Sequence, residues 1–282
     1  MGMVINTNIS SINAQRQLGI SNNSLTTSME RLSSGLRVNS AKDDAAGMAI
    51  GNRMNSQIRG MTVAVRNAND GISMSQTAES AMGNMTETLQ RMRDLAVQGA
   101  NTGVVGKEDR TKLQDEFKQL GLELKRSIDN TSFNGKKILA GSLSGANFQV
   151  GFGTSANNQI SITVSNMKSV GGLKDLFGTA ASIGSGAASG AVRSTIDKID
   201  LAIKNIDASR SKLGAVQNRF TSTISNLQSS IENNTAARSR IMDADFATET
   251  ANLSRNQILQ QAGTAMLSQA NQSSQGVLSL LR

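Results

Sequence analysis

The chain contains no proline, histidine, cysteine, tryptophan or tyrosine, and phenylalanine alone brings its aromatic content to 2%. Average usage would put roughly fourteen prolines in a chain of this length. With none, the commonest helix breaker is missing and long uninterrupted helices are expected. Without cysteine there is no disulfide, no thiol chemistry and no cysteine metal site. Without histidine, cysteine or tyrosine, acid–base and nucleophilic work would fall to carboxylates, lysines and hydroxyls, and zinc chemistry is disfavoured. No catalytic residue, cofactor or metal is therefore expected. The scarcity of aromatics points away from a thick globular core and toward thin helical bundles packed by Ala, Leu, Ile and Met.

Charge is sparse as well. Lys and Arg outnumber Asp and Glu by 29 to 21, a formal charge of +8 over 282 residues. The cations are scattered singly, with no basic block and almost no aromatic faces for base stacking, so no nucleic-acid partner is expected. No apolar run reaches the length of a membrane span, and no cleavable signal peptide is visible at the N-terminus.

What is present is helical periodicity. Ile5, Ile9 and Ile12, then Leu18, Leu25, Met29, Leu32 and Leu36, repeat at heptad-like spacing with one slip. At the other end Leu259, Ala262, Met266, Ala270, Ser273, Val277 and Leu280 form a second stripe, opposite Gln260, Gln261, Gln269, Gln272 and Gln275. Such a helix is too apolar to stay alone, and the two termini are expected to pair side by side.

Between them, Ser40 and Asp43 read as a capping-box start. A stripe from Ile50 through Met61 and Met82 to Ala96 predicts a rod of about fifty residues and about 75 Å. It passes in phase through the turn signal Asn69-Asp70-Gly71. Leu113, Phe117, Leu120, Leu124 and Ile128 predict a second helix. The alternation of Phe148, Val150 and Phe152, and of Ile160, Ile162 and Val164, together with Phe133-Asn134-Gly135, predicts one or two small hairpins. Gly171 to Ala191 lacks periodicity and reads as a linker. A third long helix starts near Val192.

The fold class is mainly α: a long antiparallel helical rod with coiled-coil-like paired termini and a small β-hairpin region. Residues 1–40 with 242–282 form the terminal domain, 41–170 with 192–241 the rod domain, and 171–191 a linker. Asp43-Asp44 and Asp243-Ala244-Asp245 are the tight carboxylate groups, and both suit helix starts better than metal or acid–base sites. Sticky ends around a rod without chemistry suit repeated self-association, and head-to-tail contacts that do not close give helical filaments. Ile5, Ile9, Ile12, Leu18, Leu25, Leu32, Leu36, Leu259, Met266, Val277, Leu280 and Leu281 are the candidate assembly residues. An enzyme using Lys42, Asp43 or Asp44, and a secreted signalling protein, are the rivals from other classes.

The stretches RLSSGLRVNSAKDDAAGMAI (Arg31–Ile50), RNANDGIS (Arg66–Ser73), LQRMRDLAVQ (Leu89–Gln98), FNGKKIL (Phe133–Leu139), GAVQNRF (Gly214–Phe220), SRIMDADFATE (Ser239–Glu249) and QANQSSQGVLSLLR (Gln269–Arg282) resemble bacterial flagellins. The resemblance covers roughly the first 140 and last 90 residues. It implies a filament subunit for swimming motility, secreted to the extracellular flagellum after export unfolded through the flagellar type III apparatus, and folding on assembly. It implies four kinds of partner: other copies of the chain, cap and hook–filament junction proteins, an export chaperone at the C-terminal segment, and the animal Toll-like flagellin receptor. For the receptor, the match carries over Arg91, Leu95 and Glu116, although Asp94 and Gly99 depart from the usual Glu and Ser. A hook–filament junction protein is the alternative within the same system. The Gly/Ser/Ala-rich middle replaces the large variable outer domains of many members, so a thin, smooth filament is expected.

Overall fold

A computed structural model describes residues 7–141, 145–177 and 181–280, with side chains at the C-terminal end up to residue 272. The described residues form six α-helices, one short 3-10 turn (Ala156–Asn158) and two small antiparallel hairpins. The helices are α1 (Ile9–Ser34), α2 (Ala45–Ala100), α3 (Lys107–Asn130), α4 (Leu173–Leu176), α5 (Ser189–Met242) and α6 (Phe246–Leu280). The strands are β1 (Ser132–Phe133), β2 (Lys136–Lys137), β3 (Ala146–Gln149) and β4 (Gln159–Ile162). This is the mainly helical class read from the sequence, with paired terminal helices and a small hairpin region.

The chain divides into two compact units, residues 1–58 with 232–282 and residues 59–231. Helices α2 and α5 contribute residues to both.

In the second unit, α2, α3 and α5 enclose one core. Met82, Met85, Leu89 and Met92 from α2 meet Phe117, Leu124 and Ile128 from α3, and Val192, Ile199 and Ile206 from α5. On the α2 side of the core methionine is the commonest large residue, because an unbranched, polarizable side chain fills irregular gaps that scarce aromatics leave. α2 runs unbroken through Asn69-Asp70-Gly71. Gly71 has a packing reason to be there: a Cβ at this position would lie 2.7 Å from Cζ of Phe220. The absent side chain lets the Phe220 ring reach the α2 backbone.

The hairpins follow from local chemistry. Asn134 and Gly135 both have positive φ (47° and 77°), as a two-residue type I′ turn requires between β1 and β2. β3 and β4 pair Ala146 with Ile162 and Phe148 with Ile160. Phe148 meets Phe220 edge to face, with ring centroids 5.8 Å apart. The amide of Asn67 on α2 donates to the Gln149 carbonyl at 3.0 Å. This aromatic pair and hydrogen bond, with Ile160 and Ile162 buried in the same core, pin the second hairpin to the helices.

Residues 171–191 depart from the expected linker. Leu173, Leu176, Ala181 and Ile183 are buried in the same core, and α5 already starts at Ser189. The buried guanidinium of Arg110 donates to the carbonyls of Gly184 (2.8 Å) and Ala187 (2.7 Å). Gln114 accepts from the Ile183 N–H at 2.6 Å. The Gly172 backbone has a φ of 90°, and a Cβ there would sit 2.7 Å from the Ala202 amide. Glycine in this stretch serves close packing and left-handed turns, which composition alone reads as looseness.

Candidate self-assembly interface

The first unit is built on the antiparallel pairing of α1 and α6. α1 starts at Asn8, whose side chain accepts from the Ser11 N–H at 3.1 Å. The same side chain donates to the Ala270 carbonyl at 2.9 Å, so one residue caps a helix and ties it to its partner. Ser11 donates to the Asn271 side chain (2.8 Å), and Ser21 to the Asn256 carbonyl (3.3 Å). At the far end Arg31 pairs with the buried carboxylate of Glu249 at 3.0 Å.

The inward positions form a strict heptad in each helix. On α1 they are Ser11, Leu18, Leu25 and Leu32, interleaved with Ala14, Ser21 and Ser28. On α6 they are Glu249, Asn256, Gly263 and Ala270, interleaved with Leu253, Gln260 and Leu267. The seven-residue repeat is that of a coiled-coil seam, but most of the knobs are small or polar. Gly263 shows how close the helices lie: its missing Cβ would stand 3.1 Å from a methyl of Leu18.

This seam divides the expected assembly residues. Leu18, Leu25 and Leu32 are half-buried in it. Ile9, Ile12, Leu259 and Met266 point away from it and are 68%, 57%, 49% and 60% exposed, with Ile20, Met29 and Ile258 exposed beside them. Leu36 lies past the end of α1, where it forms a backbone bridge with Asp243. Ile5 and Leu281 fall outside the described residues, as do the side chains of Val277 and Leu280. Of the C-terminal stripe, Leu259 and Met266 therefore face away from α1, while Ala270 lies in the seam. Sequence reasoning took the largest apolar residues as the pairing face; it included Ala270 but missed Asn256 and Gly263. The signal was there as a seven-residue spacing of small residues.

The helix ends meet at a stitched joint. Gly35 ends α1 in the left-handed conformation, and its N–H bonds the Arg31 carbonyl. The Arg37 N–H donates to the Met242 carbonyl (2.7 Å), and the Arg37 guanidinium to the Ile241 carbonyl (2.6 Å), satisfying the C-terminus of α5. The Ala244 N–H returns a bond to the Gly35 carbonyl. Asp44 caps α2 by accepting from the Gly47 N–H at 2.8 Å. Asp43 closes the preceding turn instead, accepting from the N–H and hydroxyl of Ser40 at 2.8 and 2.9 Å. Asp245 caps α6 through the Ala247 N–H and the Thr248 hydroxyl. Hydrogen bonds from Ser40 hold the Asp43 carboxyl below its ordinary range, and those from Thr248 do the same for Asp245. Asp44 and Asp245 hold helix starts, and Asp43 holds the turn before one. Among the described residues no group of three acidic side chains could bind a metal, and no helix is long and apolar enough to cross a membrane.

In the second unit, Arg91 donates through Nε (3.0 Å) and Nη2 (2.7 Å) to one carboxylate oxygen of Glu116, and both side chains are solvent-accessible. Leu95 is 2% exposed. Of the three residues expected to form a contact patch, Arg91 and Glu116 are thus paired at the surface, whereas Leu95 is buried and offers no surface for a direct contact.

Comparison with known proteins identifies a family. The model of the bacterial flagellin N-terminal helical region matches residues 5–144, and that of the C-terminal helical region matches residues 196–281. A flagellin of Halalkalibacterium halodurans is 44% identical over 280 residues, covering 99% of this chain and all of the relative. Flagellin D of Vibrio anguillarum is 37% identical over 379 aligned positions spanning both proteins in full. That alignment is much longer than this chain, so the Vibrio protein carries residues with no counterpart here. A structure from Vibrio parahaemolyticus described as a flagellar hook-associated protein shares the fold, with a TM-score of 0.59 over 71% of this chain and all of that one, at 13% identity. With both terminal regions matched in order and full-length relatives at 37% and 44% identity, the chain belongs to the bacterial flagellins, structural subunits that polymerise into the extracellular flagellar filament.

Proposed function

We propose that this flagellin assembles by burying the outward faces of α1 and α6 against neighbouring copies. The observation that carries this is the division of labour in the first unit. The seam within one chain spends serine, glycine and asparagine on pairing, while Ile9, Ile12, Leu259 and Met266 remain exposed. Fully burying one such side chain contributes about 1.5–3 kcal/mol, so several per subunit suffice to drive polymerisation. Ile5, Val277, Leu280 and Leu281 are assigned to assembly with them on their sequence spacing. Residues 1–40 with 242–282 act as the inner assembly domain, and 41–170 with 192–241 as the next shell. The filament is thin and smooth, because the chain lacks the extra residues of its longer relatives.

The chain is secreted by export in an unfolded state through the flagellar type III apparatus. The absence of disulfides and prolyl isomerisation suits that route. An export chaperone holds the C-terminal segment before export, and cap and hook–filament junction proteins meet the chain at the two ends of the filament. Negative-stain electron microscopy of the full chain, with and without sheared filament seeds, tests assembly. A version lacking residues 1–40 and 242–282 is the control. Tubular filaments from the full chain alone support the reading, and a full chain that stays monomeric with seeds overturns it.

The exposed Arg91–Glu116 pair supports a second role, recognition by the animal Toll-like flagellin receptor, in which the buried Leu95 takes no direct part. Arg91→Ala should lower receptor activation more than about tenfold while filaments remain intact, given the usual cost of losing an interface arginine. Unchanged activation would remove the role.

A further inference from the structure

Peroxide attacks sulfur-containing side chains most readily, and this chain has thirteen methionines and no cysteine. Tryptophan, tyrosine and histidine are missing too, so methionine is the chain's principal oxidisable residue. Its methionines are not equally placed. Met61, Met74, Met82, Met85, Met92, Met167 and Met242 are buried, and Met48 and Met54 are half-buried. Among the described residues the exposed ones are Met29 (56%) and Met266 (60%). Both lie on the outward faces of the paired terminal helices, where the proposed copy-to-copy contacts form.

We infer that Met29 and Met266 form a peroxide-sensitive modification site that controls polymerisation, an inference that rests on the assembly reading above. A methionine sulfur attacks one oxygen of hydrogen peroxide. The S–O bond forms as the O–O bond breaks, the sulfur is oxidised to the sulfoxide, and water leaves. The product puts a strong polar acceptor on a face that must be desolvated against a neighbour. Once a filament has formed, the same burial shields both sulfurs. Free subunits are therefore vulnerable and assembled ones protected.

The full-length monomer would be treated with hydrogen peroxide, quenched with catalase and seeded, beside Met29→Leu/Met266→Leu, a swap of nearly conserved volume. Treatment should lower the polymerised wild-type fraction about tenfold and that of the double leucine variant less than about twofold. Peptide mass mapping should show both methionines oxidised in the monomer and spared in sheared filaments. Undiminished polymerisation of oxidised wild type, equal loss in the leucine variant, or equal oxidation within filaments would each overturn the inference. Met29→Gln/Met266→Gln, left unoxidised, separates the two readings. Normal filaments from it would defeat the assembly-face reading as well, whereas failed filaments beside an unprotected leucine variant would defeat the redox site alone.

Discussion

The ring of Phe220 occupies the space that a Cβ on residue 71 would need, with Cζ 2.7 Å from that position. Helix propensity favours alanine over glycine by about 1 kcal/mol in a helix interior, so on α2 alone Gly71→Ala would stabilise. Packing reverses the sign. Phe220 is fully buried and braced by Phe148, so it cannot retreat cheaply. Gly71→Ala should lower stability by about 1–2 kcal/mol, the usual cost of overpacking. Thermal unfolding monitored by circular dichroism checks this, and a raised melting temperature would contradict it.

A related prediction concerns Gly263, where a methyl of Leu18 stands 3.1 Å from the position of a Cβ. Gly263→Val should force α1 and α6 apart and abolish filaments. The core of residues 59–231 should keep its denaturant midpoint. Normal filament yield from this variant would show that the close seam is dispensable.

Arg110 is buried and holds two carbonyls of the segment before α5. Arg110→Met keeps much of the apolar stem and removes both charge-assisted bonds. The expected loss is about 2–3 kcal/mol. Limited proteolysis should then cut within residues 181–188, where wild type resists.

Ile9→Asp tests the outward face of α1. The side chain is exposed in the single chain, so the variant should fold with unchanged helicity. It should not polymerise, because each neighbour contact would bury an unpaired carboxylate. Filaments indistinguishable from wild type by electron microscopy would sink the assigned face.

The joint carries a pH dependence of known sign. Asp43 and Asp245 have carboxyls lowered from the ordinary 3.8 by the hydrogen bonds they accept. Their contribution is fully present above that unfolded value and lost as pH falls through the lowered folded one. Asp245→Asn should be less stable than wild type at neutral pH. The gap should shrink below about pH 4 as the wild-type carboxyl protonates. A gap independent of pH would mean that the cap contributes nothing as a charge.

Much of the architecture was legible in residue order. The α2 stripe, the α3 face, the Asn134-Gly135 turn and the strand alternation around Ile160 each follow from local periodicity or one backbone preference. Two features were not. The 171–191 segment looked like a linker because glycine and serine mark loops locally, whereas its burial depends on Arg110 and Gln114, far away in sequence. The seam between the termini was hidden because hydrophobicity was weighed above size. Ser21, Ser28 and Gly263 pair the helices by letting them approach, and the larger Ile9 and Met266 are left outside. The carboxylates gave themselves away better, although Asp44, and not Ser40 with Asp43, caps α2.

The serine-rich seam also determines what kind of quantity the stability of the terminal helices is. A pair joined mostly by small and amide side chains buries little apolar surface of its own, so its free energy of folding is small. Most of what holds it would come from other copies, and mass action then enters. The melting point of α1 and α6 should rise with subunit concentration, while that of the Met- and Phe-packed core stays fixed. One chain would thus show two transitions, one belonging to a molecule and the other to a population.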